Sequence, residues 1–179
     1  MRKIPNAELG RLSIEAFKRA EKFNFVVVLD NIRSMNNVGS AFRTSDAFKC
    51  EKILLCGITA RPPHREITKT ALGATESVQW EYFPTTLEAV QTLKKQNYII
   101  VAVEQTDVSI QLHQFKPIKN KKYAFIFGHE VKGVSENILP QCDMALEIPQ
   151  FGTKHSLNVS VSIGIVLWDF VSKIYLSNT

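Results

Sequence analysis

Short apolar runs alternate along this chain with longer segments in which apolar residues recur every three or four positions. Phe25-Val26-Val27-Val28-Leu29, Lys52-Ile53-Leu54-Leu55-Cys56 and the stretches 98–103, 123–127 and 144–148 have the near-continuous hydrophobicity of strands covered on both faces. Residues 76–83 alternate in part and predict one more strand. Between the runs, 8–22 sets Leu9, Leu12, Ala16, Phe17 and Ala20 at helical spacing, and 36–48 reads as a second helix. A third spans 85–96, capped by Thr85 or Thr86 with Glu88 following. Arg61-Pro62-Pro63-His64 fits neither helix nor central strand and is a loop. Apolar strands alternating with helices predict an α/β domain with a mostly parallel sheet flanked by helices.

One segment gives two answers. Over 157–165 the apolar Leu157, Val159, Val161, Ile163 and Ile165 alternate with polar or small residues, which is strand periodicity. Further on, Leu167, Trp168, Val171 and Ile174 have helical spacing. Pattern alone predicts strand, then helix.

A chain of 179 residues is expected to form one domain, here with residues 1–24 as a basic N-terminal helical extension. No apolar run reaches the ~18 residues that span a bilayer, and the N-terminus lacks a signal peptide's apolar stretch. Cys50, Cys56 and Cys142 form no CxxC pair, so reduced core thiols, a cytosolic location and no membrane contact are expected. The four histidines are scattered without metal-ligand spacing, and no metal site is expected. The net charge of +5 makes a polyanion a plausible partner. Cations gather at Arg2/Lys3, at 11–22, at Arg61/His64/Arg65/Lys69 and at 116–122, whereas the chain beyond Ser156 carries only Lys173. One side of the molecule is therefore expected to be much the more positive.

In open parallel sheets, ligands sit beyond the carboxyl ends of strands. Three polar or glycine-bearing segments follow predicted strands. One holds Asn37, Gly39, Arg43 and Thr44; another runs Gly128-His129-Glu130-Val131-Lys132-Gly133; the last is Ile148-Pro149-Gln150-Phe151-Gly152-Thr153-Lys154-His155-Ser156-Leu157-Asn158-Val159-Ser160. They resemble, in order, the N-x-G-x-x-x-R-T, G-x-E-x-x-G and I-P-x-x-G-x-x-x-S-L-N-V-S motifs of the SpoU (TrmH) family of SPOUT RNA methyltransferases. The resemblance runs from about Val26 through the last helix. Each motif alone is moderately specific; three in order are far more so.

The resemblance implies an α/β-knot fold with a C-terminal trefoil knot, against the usual rule that chains are unknotted, and it favours a helix over 156–173. It implies transfer of a methyl group from S-adenosyl-L-methionine to a ribose 2′-hydroxyl, with the cofactor held near Val103, Glu104, Gly128, Ile148, Ser156 and Leu157. It implies a homodimer whose sites draw on both subunits. The text around Glu104-Gln105-Thr106 is closest to members acting on tRNA, with a D-loop guanosine ribose favoured and the wobble ribose second. Ribosomal RNA is the main alternative, and a catalytically silent RNA-binding protein of the same fold the other.

The residue types fit such chemistry without the family. Methyl transfer needs a hydroxyl held in line with the donor methyl, a route for its proton and a grip on the adjacent phosphate. Arg43 offers a planar fork for phosphate. Asn37, Ser156 and Asn158 offer neutral donors and acceptors, and Glu130 can hold a guanidinium or cap a helix. The family often assigns the arginine at Arg43 as general base, but a guanidinium with pKa above ~12 more easily aligns the hydroxyl than deprotonates it; both roles stay open. Arg11, Lys18, Arg33, Arg61, Arg65 and Lys154 are candidate RNA contacts. A nicotinamide dehydrogenase is excluded, because none of the eight glycines forms G-x-G. A serine hydrolase is disfavoured because no G-x-S-x-G surrounds Ser156.

Overall fold

The strand that begins at Phe23 is buried without a break from Phe25 to its end, as a strand needs to be at the centre of a sheet with both faces covered. The structure is a computed structural model that describes residues 1–176. Among these residues, seven strands form one sheet: β1 (Phe23–Asp30), β2 (Cys50–Cys56), β3 (Gln79–Phe83), β4 (Tyr98–Val103), β5 (Ile110–Gln111), β6 (Lys122–Phe127) and β7 (Met144–Glu147). Their order is β3-β2-β1-β6-β4-β7-β5, and every neighbouring pair is parallel.

Successive side chains of a strand point to opposite faces, so β1 feeds two cores. Phe25, Val27 and Leu29 join the core beneath α2 (Met35–Ala47), α3 (Arg65–Ala71), α4 (Ala74–Ser77) and α6 (Val159–Val171). Val26 and Val28 join the other, covered by Ala89, Val90 and Leu93 of α5 (Thr86–Lys95) and by Val134 and Ile138.

Helix α6 settles the ambiguous segment. Its inward residues, with those of the π-helical turn Ser172–Leu176 that continues it, are Ile163, Val166, Leu167, Phe170, Val171 and Ile174, a helical series. The competing alternation is outvoted, because a strand would bury Val161 and Ile165 in place of Val166 and Phe170. Phe170 lies edge-on to Phe25, Tyr123 and Phe125 at 5.2–5.4 Å between ring centroids. Aromatic pairs favour that geometry. Together, residues Val159–Leu176 are long and apolar enough to cross a membrane by length and composition. This corrects the expectation that no such segment exists. Its inner face nevertheless caps the sheet's aromatic core, which withdrawal into lipid would uncover.

Elsewhere the sequence expectations need smaller corrections. The predicted helix over 8–22 is a 3-10 turn at Asn6–Glu8 and a six-residue α1 (Ile14–Arg19), separated by Gly10 at φ +61°. The Ser13 hydroxyl caps α1, and within it only Phe17 is buried, while Leu9 and Leu12 stay exposed. The strand expected over 76–83 gives up its first residues to α4, where the Ser77 hydroxyl donates to Asp46 of α2. Both α3 and β5 went unpredicted. Cys50 and Cys56 are buried and Cys142 half-buried, and all three are free. Burial pushes the Cys50 and Cys56 thiols up to about 12 and Cys142 to about 11, so they are protonated at neutral pH.

Close packing of α2 on α3 rests on Gly39. A Cβ there would lie 2.1 Å from the Thr70 hydroxyl and 2.3 Å from the Ile67 carbonyl oxygen, a backbone atom that cannot simply rotate away. Gly39→Ala is expected to cost about 1–3 kcal/mol of stability, read as a lower urea midpoint; an unchanged midpoint would mean the helices separate freely.

Candidate active site

Beyond the carboxyl ends of β4, β6 and β7 lies a pocket of about 500 Å³. Three loops wall it: residues 103–105 after β4, 127–133 after β6 and 146–159 after β7. Val103, Glu104, Gly128, Ile148, Ser156 and Leu157 all line it, as do Glu130 and Asn158. The position follows from strand order, since β4 lies between β6 and β7 and their loops leave the same edge.

The loop after β6 folds back on itself. His129 and Gly133 exchange backbone hydrogen bonds at 3.0 and 2.8 Å, and His129 Nδ1 accepts from the Val131 and Lys132 N–H groups. That makes His129 local structure. A Cβ on Gly128 would fall 2.1 Å from backbone atoms of Gly133 and Val134. Gly133 itself has φ +69°, where other residues are strained. Gly128 is thus required by backbone approach, and Gly133 by its left-handed backbone and the Glu104 carboxylate beside it.

Three carboxylates then pin this loop to its neighbours. Glu104 accepts from the Gln105 and Val134 N–H groups, both at 2.9 Å. Asp30, fully buried at the end of β1, accepts from Ser135 N–H at 2.7 Å, from Asn31 Nδ2 at 2.8 Å and from the Thr86 hydroxyl. Glu130 accepts from Ser34 N–H at 3.0 Å and from Arg33 N–H and Asn37 Nδ2 at 3.1 Å, reaching from the pocket loop to the start of α2. Partial burial alone would raise the Glu130 pKa, but the amides of Ser34 and Arg33, its own N–H and Asn37 outweigh it and hold the carboxyl below its ordinary value. Charge-assisted bonds to backbone amides favour the ionised form. Sequence reasoning gave Asp30 no role; the signal was an acid closing an otherwise apolar strand.

The other candidates divide. Asn37 meets Glu130 and does not meet Arg43 in any hydrogen bond. The Asn158 side chain accepts from Ser160 N–H at 2.8 Å and from its hydroxyl at 2.6 Å, capping α6. Ser156 is exposed at the pocket wall. Arg43 is exposed on α2, lines no part of its own chain's pocket, and its guanidinium meets no acceptor among the described residues. Arg11, Lys18, Arg33, Arg61, Arg65 and Lys154 are all exposed. Arg61 lies over the Tyr82 ring, 4.3 Å from its centroid. Among the described residues no three His, Cys, Asp or Glu side chains gather in a way that would hold a metal ion.

A parallel sheet with a loop-walled pocket at its carboxyl edge defines an α/β protein of the open-sheet, ligand-binding class. The sequence profile of the SpoU rRNA Methylase family matches residues 24–168, and the chain belongs to that family. It is 30% identical over 142 residues to a 23S rRNA (guanosine-2'-O-)-methyltransferase of Neisseria meningitidis, covering 79% of this chain and 56% of that protein. It is 29% identical over 163 residues to a tRNA (guanosine(18)-2'-O)-methyltransferase of Thermus thermophilus, covering 90% and 81%. The chain thus spans little more than half of the Neisseria relative. In fold it is similar to an AdoMet-bound rRNA methyltransferase from Sinorhizobium meliloti (TM-score 0.78, 24% identity, 84% of this chain and 57% of that one). It is equally similar to the A. aeolicus TrmH/SpoU tRNA modifying enzyme (TM-score 0.77, 24% identity, 89% and 79%).

The lowered pKa of Glu130 has a definite sign in pH. Its stabilising contribution is complete above the unfolded carboxyl value of ~4.3 and is lost as pH falls through the lower folded value. Glu130→Gln is therefore expected to lower the urea midpoint at pH 7, with the gap from wild type closing on acidification below pH ~4. A gap independent of pH would show that the carboxylate charge is not what holds the loop.

Proposed function

We propose that this protein transfers a methyl group from S-adenosyl-L-methionine to a ribose 2′-hydroxyl of RNA, with tRNA as substrate. The observation that carries the reading is the pocket itself: two of the three motif segments wall one cavity with the loop after β4, and Glu130 ties that cavity to the helix that bears Arg43. About 500 Å³ suits a ligand of the cofactor's size. Val103, Ile148 and Leu157 offer apolar wall, the loop backbones offer donors and acceptors, and the Glu104, Glu130 and Glu147 carboxylates around the rim favour a cation. When bound, the cofactor supplies an electrophilic methyl on a sulfonium.

The residues of the chain do the rest. The loops around 128–133 and 148–158 hold the donor still, and Arg43 grips the phosphate beside the target so that the ribose oxygen stands in line. With the cofactor bound, its methyl would pass to the oriented oxygen, and the hydroxyl proton would leave to solvent or to a base. A guanidinium held by phosphate is poorly suited to take it.

Arg43 lies outside its own chain's pocket, which supports a homodimer in which the partner supplies it. The outer face of α6 carries Val161, Ile165 and Trp168, 36–55% exposed and one turn apart, with Leu157 at the foot. Helix α2 packs beside it, Phe48 lying 6.2 Å from Trp168 between ring centroids. Two copies joined along α6 would bring each α2 to the other's pocket. The knotted threading after β7 and a cytoplasmic location belong to the same reading. Within tRNA, a D-loop guanosine ribose is the first expectation and the wobble ribose the second. The Neisseria relative, described as acting on 23S rRNA, keeps ribosomal RNA as the second reading.

Incubation with labelled S-adenosyl-L-methionine and bulk tRNA or ribosomal RNA from cells lacking the gene tests this directly. One labelled 2′-O-methyl nucleoside in tRNA is expected; label in ribosomal RNA alone would transfer the assignment, and none in either would sink it. Arg43→Ala is expected to lose at least 100-fold in turnover, as expected of a group that acts mainly in the transition state, while RNA affinity changes only a few-fold. Trp168→Glu should sediment as a monomer without activity, and an active monomer would remove the dimer from the mechanism.

A further inference from the structure

Two side chains outside the pocket, on the same edge of the sheet, are arranged as a surface for stacking. Tyr82 is the next-to-last residue of β3, and its hydroxyl donates to the Gly57 carbonyl at 3.1 Å. The Arg61 guanidinium carbon lies over the ring, 4.3 Å from its centroid. Pro62 and Pro63 restrict the loop behind Arg61. Were this pair only structural, the ring would be covered and the guanidinium paired to an acid. Instead Tyr82 is 37% exposed, and no acceptor meets the Arg61 N–H groups among the described residues. His64, Arg65 and Lys69 stand exposed beside it.

The platform is also wired to the pocket. Gly57 N–H donates to Phe83, and Ile58 N–H donates to Asn31 Oδ1 at 3.2 Å. Asn31 Nδ2 donates to Asp30, whose other oxygen holds Ser135 in the pocket loop. Strands are spaced about 4.8 Å, so the ends of β2 and β3 lie roughly 10–14 Å from that of β6. That separation suits a nucleotide flanking the target and not the target itself.

We propose that Arg61 and Tyr82 form a stacking platform for an unpaired base of the RNA, a short way along the strand from the methylated ribose, with Arg65 and Lys69 on the neighbouring phosphates. The substrate class this selects is RNA presented as a loop or single strand, because only an unstacked base offers its face to a guanidinium or ring. The proposal rests on the RNA-methyltransferase reading above. It goes beyond it in naming which base-binding surface selects the substrate's shape.

The test combines kinetics with a direct readout of stacking. Tyr82→Leu and Arg61→Ala are expected to raise the KM for tRNA about ten-fold, the scale of losing one base stack, with kcat and cofactor affinity unchanged. Tyr82→Phe should keep the wild-type KM, and Arg61→Lys, which retains charge without the plane, should not. Short RNA single strands bearing 2-aminopurine at successive positions should show fluorescence quenching on wild-type protein at one position, lost in Tyr82→Leu. Melting temperature and cofactor binding confirm that each variant is folded. If wild-type protein methylates RNA but both variants keep its KM and no position is quenched, the platform falls alone. If wild-type protein neither binds nor methylates RNA, the functional reading falls and the platform with it.

Discussion

Carboxylates accepting backbone N–H groups hold the working edge of this protein together. Asp30, Glu104 and Glu130 come from three different places in the chain, yet all secure the loop after β6, from within it or from its flanks. The loop has little apolar surface to bury, and its glycines, chosen for close approach, have no side chains to pack. Ionic hydrogen bonds to amides supply what packing cannot, each stronger than its neutral equivalent. Because Glu130 reaches the start of α2, the pocket loop and that helix share one anchor.

Helix α6 has two unlike faces, and each does separate work. Inward, Phe170 closes an aromatic cluster with Phe25, Tyr123 and Phe125. Outward, it keeps Val161, Ile165 and Trp168 partly in water, with Trp168 meeting only the edge of α2 through Phe48. Monomeric proteins seldom leave such stripes bare. The helix thus carries apolar residues on two faces, only one of which the single chain covers fully.

Sequence pattern reached most of the sheet because strands buried on both faces advertise themselves as unbroken apolar runs. The exceptions have physical causes. Residues 8–22 have helical spacing, but Gly10 interrupts them and the sheet offers a seat to Phe17 alone. The alternation from Leu157 to Ile165 is real, yet the pocket loop claims Leu157 and the core claims Phe170 and Ile174, which only a helix brings inward. Two-residue β5 is too short to carry any period. Among site residues, the family resemblance named eight that the structure gathers around one pocket. Asp30 was harder to read, because apart from the neighbouring Asn31 its partners, Thr86 and Ser135, come from far along the chain. Tyr82 was invisible because a tyrosine near the end of an edge strand looks like any other.

The first strand of this sheet is finished by the last helix. Phe25 and Phe170 touch across most of the chain, so the face of β1 that α2, α3 and α4 cover is not closed around Phe25 until α6 arrives. Because α6 follows every strand of the sheet in the chain, it leaves the ribosome after them and cannot nucleate their pairing. The nascent sheet must therefore wait with an aromatic surface exposed, a high-contact-order arrangement that folds slowly and invites aggregation. The order in which these elements are made thus keeps that aromatic core open on one side until the helix that follows the strands is in place.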